Sequence, residues 1–302
     1  MIAQKGLWQN PQQPTVFIDF GAGKVYALPD NSDEVLTFAD LKELIQKLRP
    51  AVVVADNYPR STLLQITEMA TNKITFLKYK QLRKVAEARR LNGLKKSNKN
   101  DALIIRQLYY HSPEDFTCLF HLPEELPVRL ELGIWRKTAA VVKLYKSDST
   151  TPSKEVKDML TTAKRVLKRL SIKIHIMALS LPLYRLASEE LGLKGPTLAY
   201  IISYDYQGFI KLGRDKLYRK YQLTHGKKKY RTFKSQLLYM IANNAVLNKN
   251  PRYIATYVRL NKKYRDQGRR NARNMAVWGV AQKIVEDLRR IARKIEQMQL
   301  AQ

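Results

Sequence analysis

Asp19, Asp56, Asn98 and Asp101 are the residues whose types and placement can do chemistry. Asp19 closes the strand-like run Thr15-Val16-Phe17-Ile18, and Asp56 closes a second one, Val52-Val53-Val54-Ala55. Asn98 and Asp101 lie three apart in Lys96-Ser97-Asn98-Lys99-Asn100-Asp101-Ala102, so on a helix they share a face. Carboxylates at the C-terminal ends of neighbouring strands, joined by an acid and an amide from a later helix, converge on one point. There they can hold hard divalent cations through oxygen ligands, Mg²⁺ above all, and such cations stabilise charge developing on a reacting oxygen. Each residue also has an ordinary role: Asp19 and Asp56 as turn residues, Asn98 as a helix cap, Asp101 as a first-turn acid favoured by the helix dipole. The order of the four is what points to a metal site.

The elements that must position them are readable from periodicity. Up to about Tyr110, short β-rich runs (Thr15 to Phe20, Lys24 to Leu28, Ala51 to Ala55, Ile74 to Leu77) alternate with helical ones such as Phe38 to Leu48. That alternation predicts an α/β layer with a mixed sheet. Ala102, Leu103, Ile104, Ile105 and Leu108, without Gly or Pro between them, predict a helix from about Asn98 to Tyr110. After His111-Ser112-Pro113 almost everything reads as helix. The expected organisation is an α/β unit over 1–111, a helical linker or coiled-coil region over 112–182 and a helical domain over 183–302. Thr151, with Pro152 after it, is the expected N-cap of the helix carrying Val156, Met159, Leu160, Ala163, Val166, Leu167 and Leu170. In the last helix, Val277, Val280, Ala281, Ile284, Leu288, Ile291 and Ile295 recur at the spacing of a packed face.

Charge narrows the partners. With 55 Lys and Arg against 26 Asp and Glu, the net charge is +29 over 302 residues, which implies a polyanionic partner. Nucleic acid comes first, because neutralised phosphates release counterions whatever the sequence. A membrane is the weaker choice, since no run reaches the roughly 18 apolar residues of a spanning helix. The start Met1-Ile2-Ala3-Gln4-Lys5 reads as no secretory signal, and the single cysteine, Cys118, excludes an internal disulfide framework. The expected setting is the cytoplasm of a prokaryote, at the nucleoid. The four His form no metal-spaced pair.

The densest cationic stretch holds Arg214, Lys216, Arg219, Lys220, Lys227, Lys228, Lys229, Arg231 and Lys234, interleaved with Tyr218, Tyr221 and Tyr230. Tyrosines among cations suit stacking on unpaired bases beside a phosphate backbone. Lys262, Lys263, Arg265, Arg269, Arg270 and Arg273 form a second cluster, and Arg89, Arg90, Lys95 and Lys96 lead into the Asn98/Asp101 segment. The turn Leu191-Gly192-Leu193-Lys194-Gly195-Pro196 opens a helix and either presents N–H groups to a phosphate or simply connects two helices.

From Thr15 to about Lys294 the arrangement resembles the DEDD transposases of the one-ten type of insertion sequence, some of which are RNA-guided DNA recombinases. That resemblance implies an RNase H or RuvC-like first domain with Asp19 on its first strand and Asp56 at the family's second acid, usually Glu. The family's Lys-Thr-Asp-x-x-Asp-Ala motif is matched by Lys96 to Ala102, with Ser97 for Thr and Asn98 for Asp. Asn98 can offer an amide oxygen but no negative charge. The family's helical transposase domain is matched in order by Gly195-Pro196, Phe209, Leu217-Tyr218 to Leu223 and Thr224-His225-Gly226-Lys227. The family's serine nucleophile precedes a Gly; here Thr224 and His225 stand at that place and Ser235 is the nearest downstream Ser. The nucleophile implied is Thr224, His225, Ser235 or none of them. The resemblance further implies Mg²⁺, DNA and a guide RNA as partners, a dimer or tetramer, and strand cleavage and exchange. The alternatives are a RuvC-like structure-specific nuclease and a nucleic-acid binder that has lost its chemistry.

Overall fold

Runs of three to seven residues within the first 118 form a mixed sheet. Its strands are β1 (Thr15–Gly21), β2 (Lys24–Pro29), β3 (Leu36–Phe38), β4 (Val52–Ala55), β5 (Thr75–Tyr79) and β6 (Phe116–Cys118), in the order β3-β2-β1-β4-β5-β6. The computed structural model describes residues 14–69, 74–120, 122–147, 153–223 and 232–301. Contacts divide the chain into two units, Met1–Pro123 and Glu124–Gln302.

In the first unit β1 pairs antiparallel with β2 and parallel with β4, while β5 runs parallel to β4. The β1–β2 hairpin closes through Ala22 and Gly23, at φ 50° and 72°, the two positive values that a tight turn between right-twisted strands requires. Asp19 therefore lies on the strand, two residues ahead of Gly21, rather than in the turn. Helices α1 (Leu41–Leu48), α2 (Arg60–Met69), α3 (Leu82–Leu91) and α4 (Asn98–His111) pack around this sheet.

The expected helix from Phe38 to Leu48 is split: Phe38 ends β3, and α1 starts only after Asp40, whose carboxylate accepts the Glu43 N–H at 2.8 Å. Glu43 in turn accepts the Ala39 N–H at 2.7 Å, so a reciprocal cap sets the start of the helix. For α4 the predicted span holds, but Ser97 is its N-cap, accepting from the Asn100 N–H at 3.1 Å. Residues 116–118, placed with the helices on sequence, return to the sheet as β6 against β5.

The second unit is helical: α5 (Glu125–Ser147), α6 (Lys154–Ala178), α7 (Pro182–Leu191), α8 (Pro196–Lys211), α9 (Arg214–Lys220), α10 (Phe233–Leu247), α11 (Pro251–Asp266) and α12 (Ala272–Leu300). All seven predicted apolar positions of α12 are buried. Its buried Asp287 takes a bidentate pair from Arg252, at 2.9 and 3.0 Å, which tethers α11 to α12.

On α6 the stripe is only half-buried, with Met159 and Val166 exposed. The N-cap of α6 is Ser153 rather than Thr151, since its hydroxyl accepts the Val156 N–H. Thr151 and Pro152 lie outside the described residues. Among the described residues no single helix is long and apolar enough to cross a membrane.

Candidate functional site

The alternation of a strand decides where the acids point. Phe17 of β1 and Val54 of β4 are register partners, and both are buried in one core with Ala102, Ile104 and Ile105 of α4. Two residues further on, Asp19 and Asp56 leave the ends of the parallel pair on that same face. Because α4 lies over β1, its first turn brings Asn98 and Asp101 to the same end. Asp19 and Asp101 are each only 9% exposed, low for carboxylates.

Asn98 lies directly over Gly21. A β-carbon built on Gly21 would come within 2.0 Å of the Asn98 Nδ2, so glycine here makes room for the amide. On sequence, Gly21 reads as no more than part of a turn.

Electrostatics tie the group together. Burial, then the neighbouring Asp56 and further Asp101, push the Asp19 carboxyl up to about 7, against the opposing pull of the Phe20 N–H and Arg89. Asp56 is also raised, by burial first and then by Asp101, while the Asn57 N–H and Lys78 draw it down. Asp19 is thus harder to ionise because Asp56 and Asp101 are near, and Asp56 because Asp101 is. Arg89, from the last turn of α3, forms an ion pair with Asp101. Among the described residues no three His, Cys, Asp or Glu side chains stand close enough, as placed, to enclose a metal ion. The oxygen donors gathered at the strand ends are Asp19, Asp56, Asn98 and Asp101, with a guanidinium meeting the last of them.

No family model matches this chain. No curated protein matches it either. The assignment of chemistry therefore rests on the residues themselves.

Apart from Arg89, which pairs with Asp101, the cationic residues expected on nucleic acid divide into three sets. Arg90, Lys95, Lys96, Arg214, Lys216, Arg219, Arg269, Arg270 and Arg273 are exposed. Thr224, His225, Lys227, Lys228, Lys229, Tyr230 and Arg231 lie outside the described residues. Lys234, half-buried, and Lys220, which remains exposed, reach inward with their ammonium groups instead, and both place Nζ 2.8 Å from the buried Asp205 of α8. Burial pushes the Asp205 carboxyl up, but the two ammonium groups outweigh it and hold it below the usual carboxylate range. Gly208, whose missing side chain would stand 2.9 Å from the Lys220 Nζ, leaves the path open.

The expected stacking tyrosines differ as well. Tyr221 is fully buried and donates to Asp205 at 2.9 Å, and Tyr218 donates to Glu286. Their hydroxyls find partners inside the helical unit, so these rings are part of its packing. Ser235 is fully buried, its N–H is capped by Thr232, and its Oγ has no hydrogen-bond partner among the described residues. The Gly195 N–H donates to the Tyr184 hydroxyl at 2.8 Å, which favours the second of the two readings of this turn, a plain connection between helices.

Proposed function

We propose that this chain is a metal-dependent DNA recombinase of a mobile element, with an RNase H or RuvC-like first unit. One observation carries the reading: Asp19, Asp56 and Asp101 lie at one end of the parallel pair β1/β4, near enough for Asp56 and Asp101 to raise the Asp19 carboxyl. The sheet supports it, because a β3-β2-β1 antiparallel meander followed by parallel β4 and β5 is the strand order expected of that fold.

Three carboxylates and one amide oxygen are a donor set suited to Mg²⁺. Asp19, Asp56, Asn98 and Asp101 would hold it, and it would supply charge stabilisation at the phosphate being cut. Arg89 balances Asp101 when no cation is there. Release from that pair leaves its guanidinium free to meet phosphate. Exposed cations of both units, Lys95, Lys96, Arg214, Arg219, Arg269 and Arg270 among them, hold the nucleic-acid backbone. DNA and an element-encoded guide RNA are the proposed partners, and a dimer or tetramer the working form.

The covalent nucleophile falls to Thr224 or His225, because Ser235 as placed is too deep to reach a phosphodiester. That burial also favours a second reading, a RuvC-like nuclease on the same acids that uses water and forms no protein–DNA link. Incubation with DNA carrying the element ends, followed by denaturing electrophoresis, separates the two. The recombinase gives a covalent adduct and joined strands that Asp101→Ala abolishes. Full strand exchange by Asp101→Ala would sink both readings.

A further inference from the structure

Three helices of the second unit build an alternating series of cations and rings. Tyr200 and Tyr204 of α8 pack at 4.5 Å between centroids with their planes 33° apart, and Phe233 of α10 meets Tyr200 edge-on at 5.4 Å. From α5, Arg129 lies 4.7 Å over Tyr204, while Arg136 lies 5.4 Å from Tyr200 and 4.5 Å from Phe233. Such contacts stabilise the helix junction by themselves. Packing alone does not account for the exposure that remains: Tyr204 is 42% and Phe233 41% exposed.

The two arginines are not equivalent. Arg129 is anchored by Glu125 at 2.6 Å and by the Ser203 carbonyl at 2.8 Å. Arg136 is exposed, forms no ion pair among the described residues and reaches only the Tyr200 hydroxyl, at 3.5 Å. The helices α5, α8 and α10 carry three acids, Glu125, Glu131 and Asp205, and each is already paired with Arg129, Lys173, or Lys220 and Lys234. Among the described residues the charge of Arg136 and of its neighbour Lys137 is therefore uncompensated.

We propose that this surface binds an unpaired nucleic-acid strand, its bases stacking on Phe233 and the Tyr200/Tyr204 pair and its phosphates meeting Arg136. Exposed rings beside the uncompensated guanidinium of Arg136 suit bases whose faces are free. A duplex, with its bases stacked on each other, offers only phosphates. Of the cationic stretch singled out in the sequence the site takes in Phe233, whereas Tyr218 and Tyr221 of that stretch turn inward. It does not depend on the carboxylate centre, because binding needs no divalent metal.

The test is fluorescence anisotropy of the full chain in chelator, with labelled oligo(dT), oligo(rU) and a blunt duplex of equal length. Phe233→Ala is expected to weaken single-strand binding about tenfold, with duplex binding unchanged and Phe233→Trp restoring affinity, and Arg136→Ala to weaken single-strand binding clearly more than duplex binding. Loss on both single strands assigns the site to unpaired bases in general, and loss on one of them identifies the sugar it prefers. Unchanged single-strand affinity in folded variants overturns the proposal, as does equal weakening on the duplex. So does polyglutamate competing as well as oligo(dT), because an acidic peptide would then be the occupant.

Discussion

Replacing Asp19 by Asn should make the metal-free protein more stable at neutral and alkaline pH. In the unfolded chain this carboxyl ionises near 3.8, whereas in the folded chain it does so only at about 7. Between those values the unfolded state binds fewer protons than the folded one, so stability falls as pH rises through that window and stays lower above it. At 1.36 kcal/mol per pH unit the full loss is about 4 kcal/mol, an upper bound because part of the shift is shared with Asp56. The amide has no charge to bury, so Asp19→Asn should gain about 2–4 kcal/mol at about pH 8 and clearly less at about pH 5. Urea unfolding in chelator, followed by circular dichroism at both pH values, measures it. A neutral or destabilising Asp19→Asn at the higher pH, or a gain independent of pH, would refute the reasoning that these acids repel one another in a buried cluster.

Gly21→Ala should drive the Asn98 amide off the strand end at a cost of about 1 kcal/mol, and Asn98→Ala in the same chain should remove that cost, as a double-mutant cycle in urea would show. Asp205→Ala should destabilise by about 3 kcal/mol at neutral pH, since it leaves Lys220 and Lys234 facing each other without their shared counterion; thermal unfolding reads it. For DNA affinity as a function of salt, Arg214→Ala should make the slope shallower by about one, whereas Lys234→Ala should leave it unchanged.

Much of the first unit was legible because strand chemistry is local. Val52 to Ala55 is an uninterrupted apolar run, three of its four residues β-branched, that ends at an acid, and Ala102 to Leu108 keeps helical spacing, so β4, α4 and the acids beside them follow from types and order. The Phe38–Leu48 boundary was not read, although the signal was present: Asp40 followed three residues later by Glu43 is a capping pattern that excludes Phe38 from the helix. Partners from distant segments left no such local trace. Arg89 belongs to a basic run whose neighbours are exposed, and only the packing of α3 against α4 turns it to Asp101. Lys220 and Lys234 sit in the densest cationic stretch, yet they serve an acid that follows Ile201-Ile202-Ser203-Tyr204 on another helix. An Asp within so apolar a helix was itself a hint that cations would have to come to it. The rings of Tyr200, Tyr204 and Phe233 come from two helices and their arginines from a third, so no sequence window contains them.

Calorimetric titration of the purified chain with Mg²⁺ near neutral pH tests most directly whether the acids at the strand ends form one metal centre. Saturable binding is the predicted result, lost in Asp101→Ala and in Asp19→Asn and tighter in Arg89→Ala, where no guanidinium competes for Asp101. Absence of binding by the unaltered chain, or binding that survives both acid substitutions, would contradict the account.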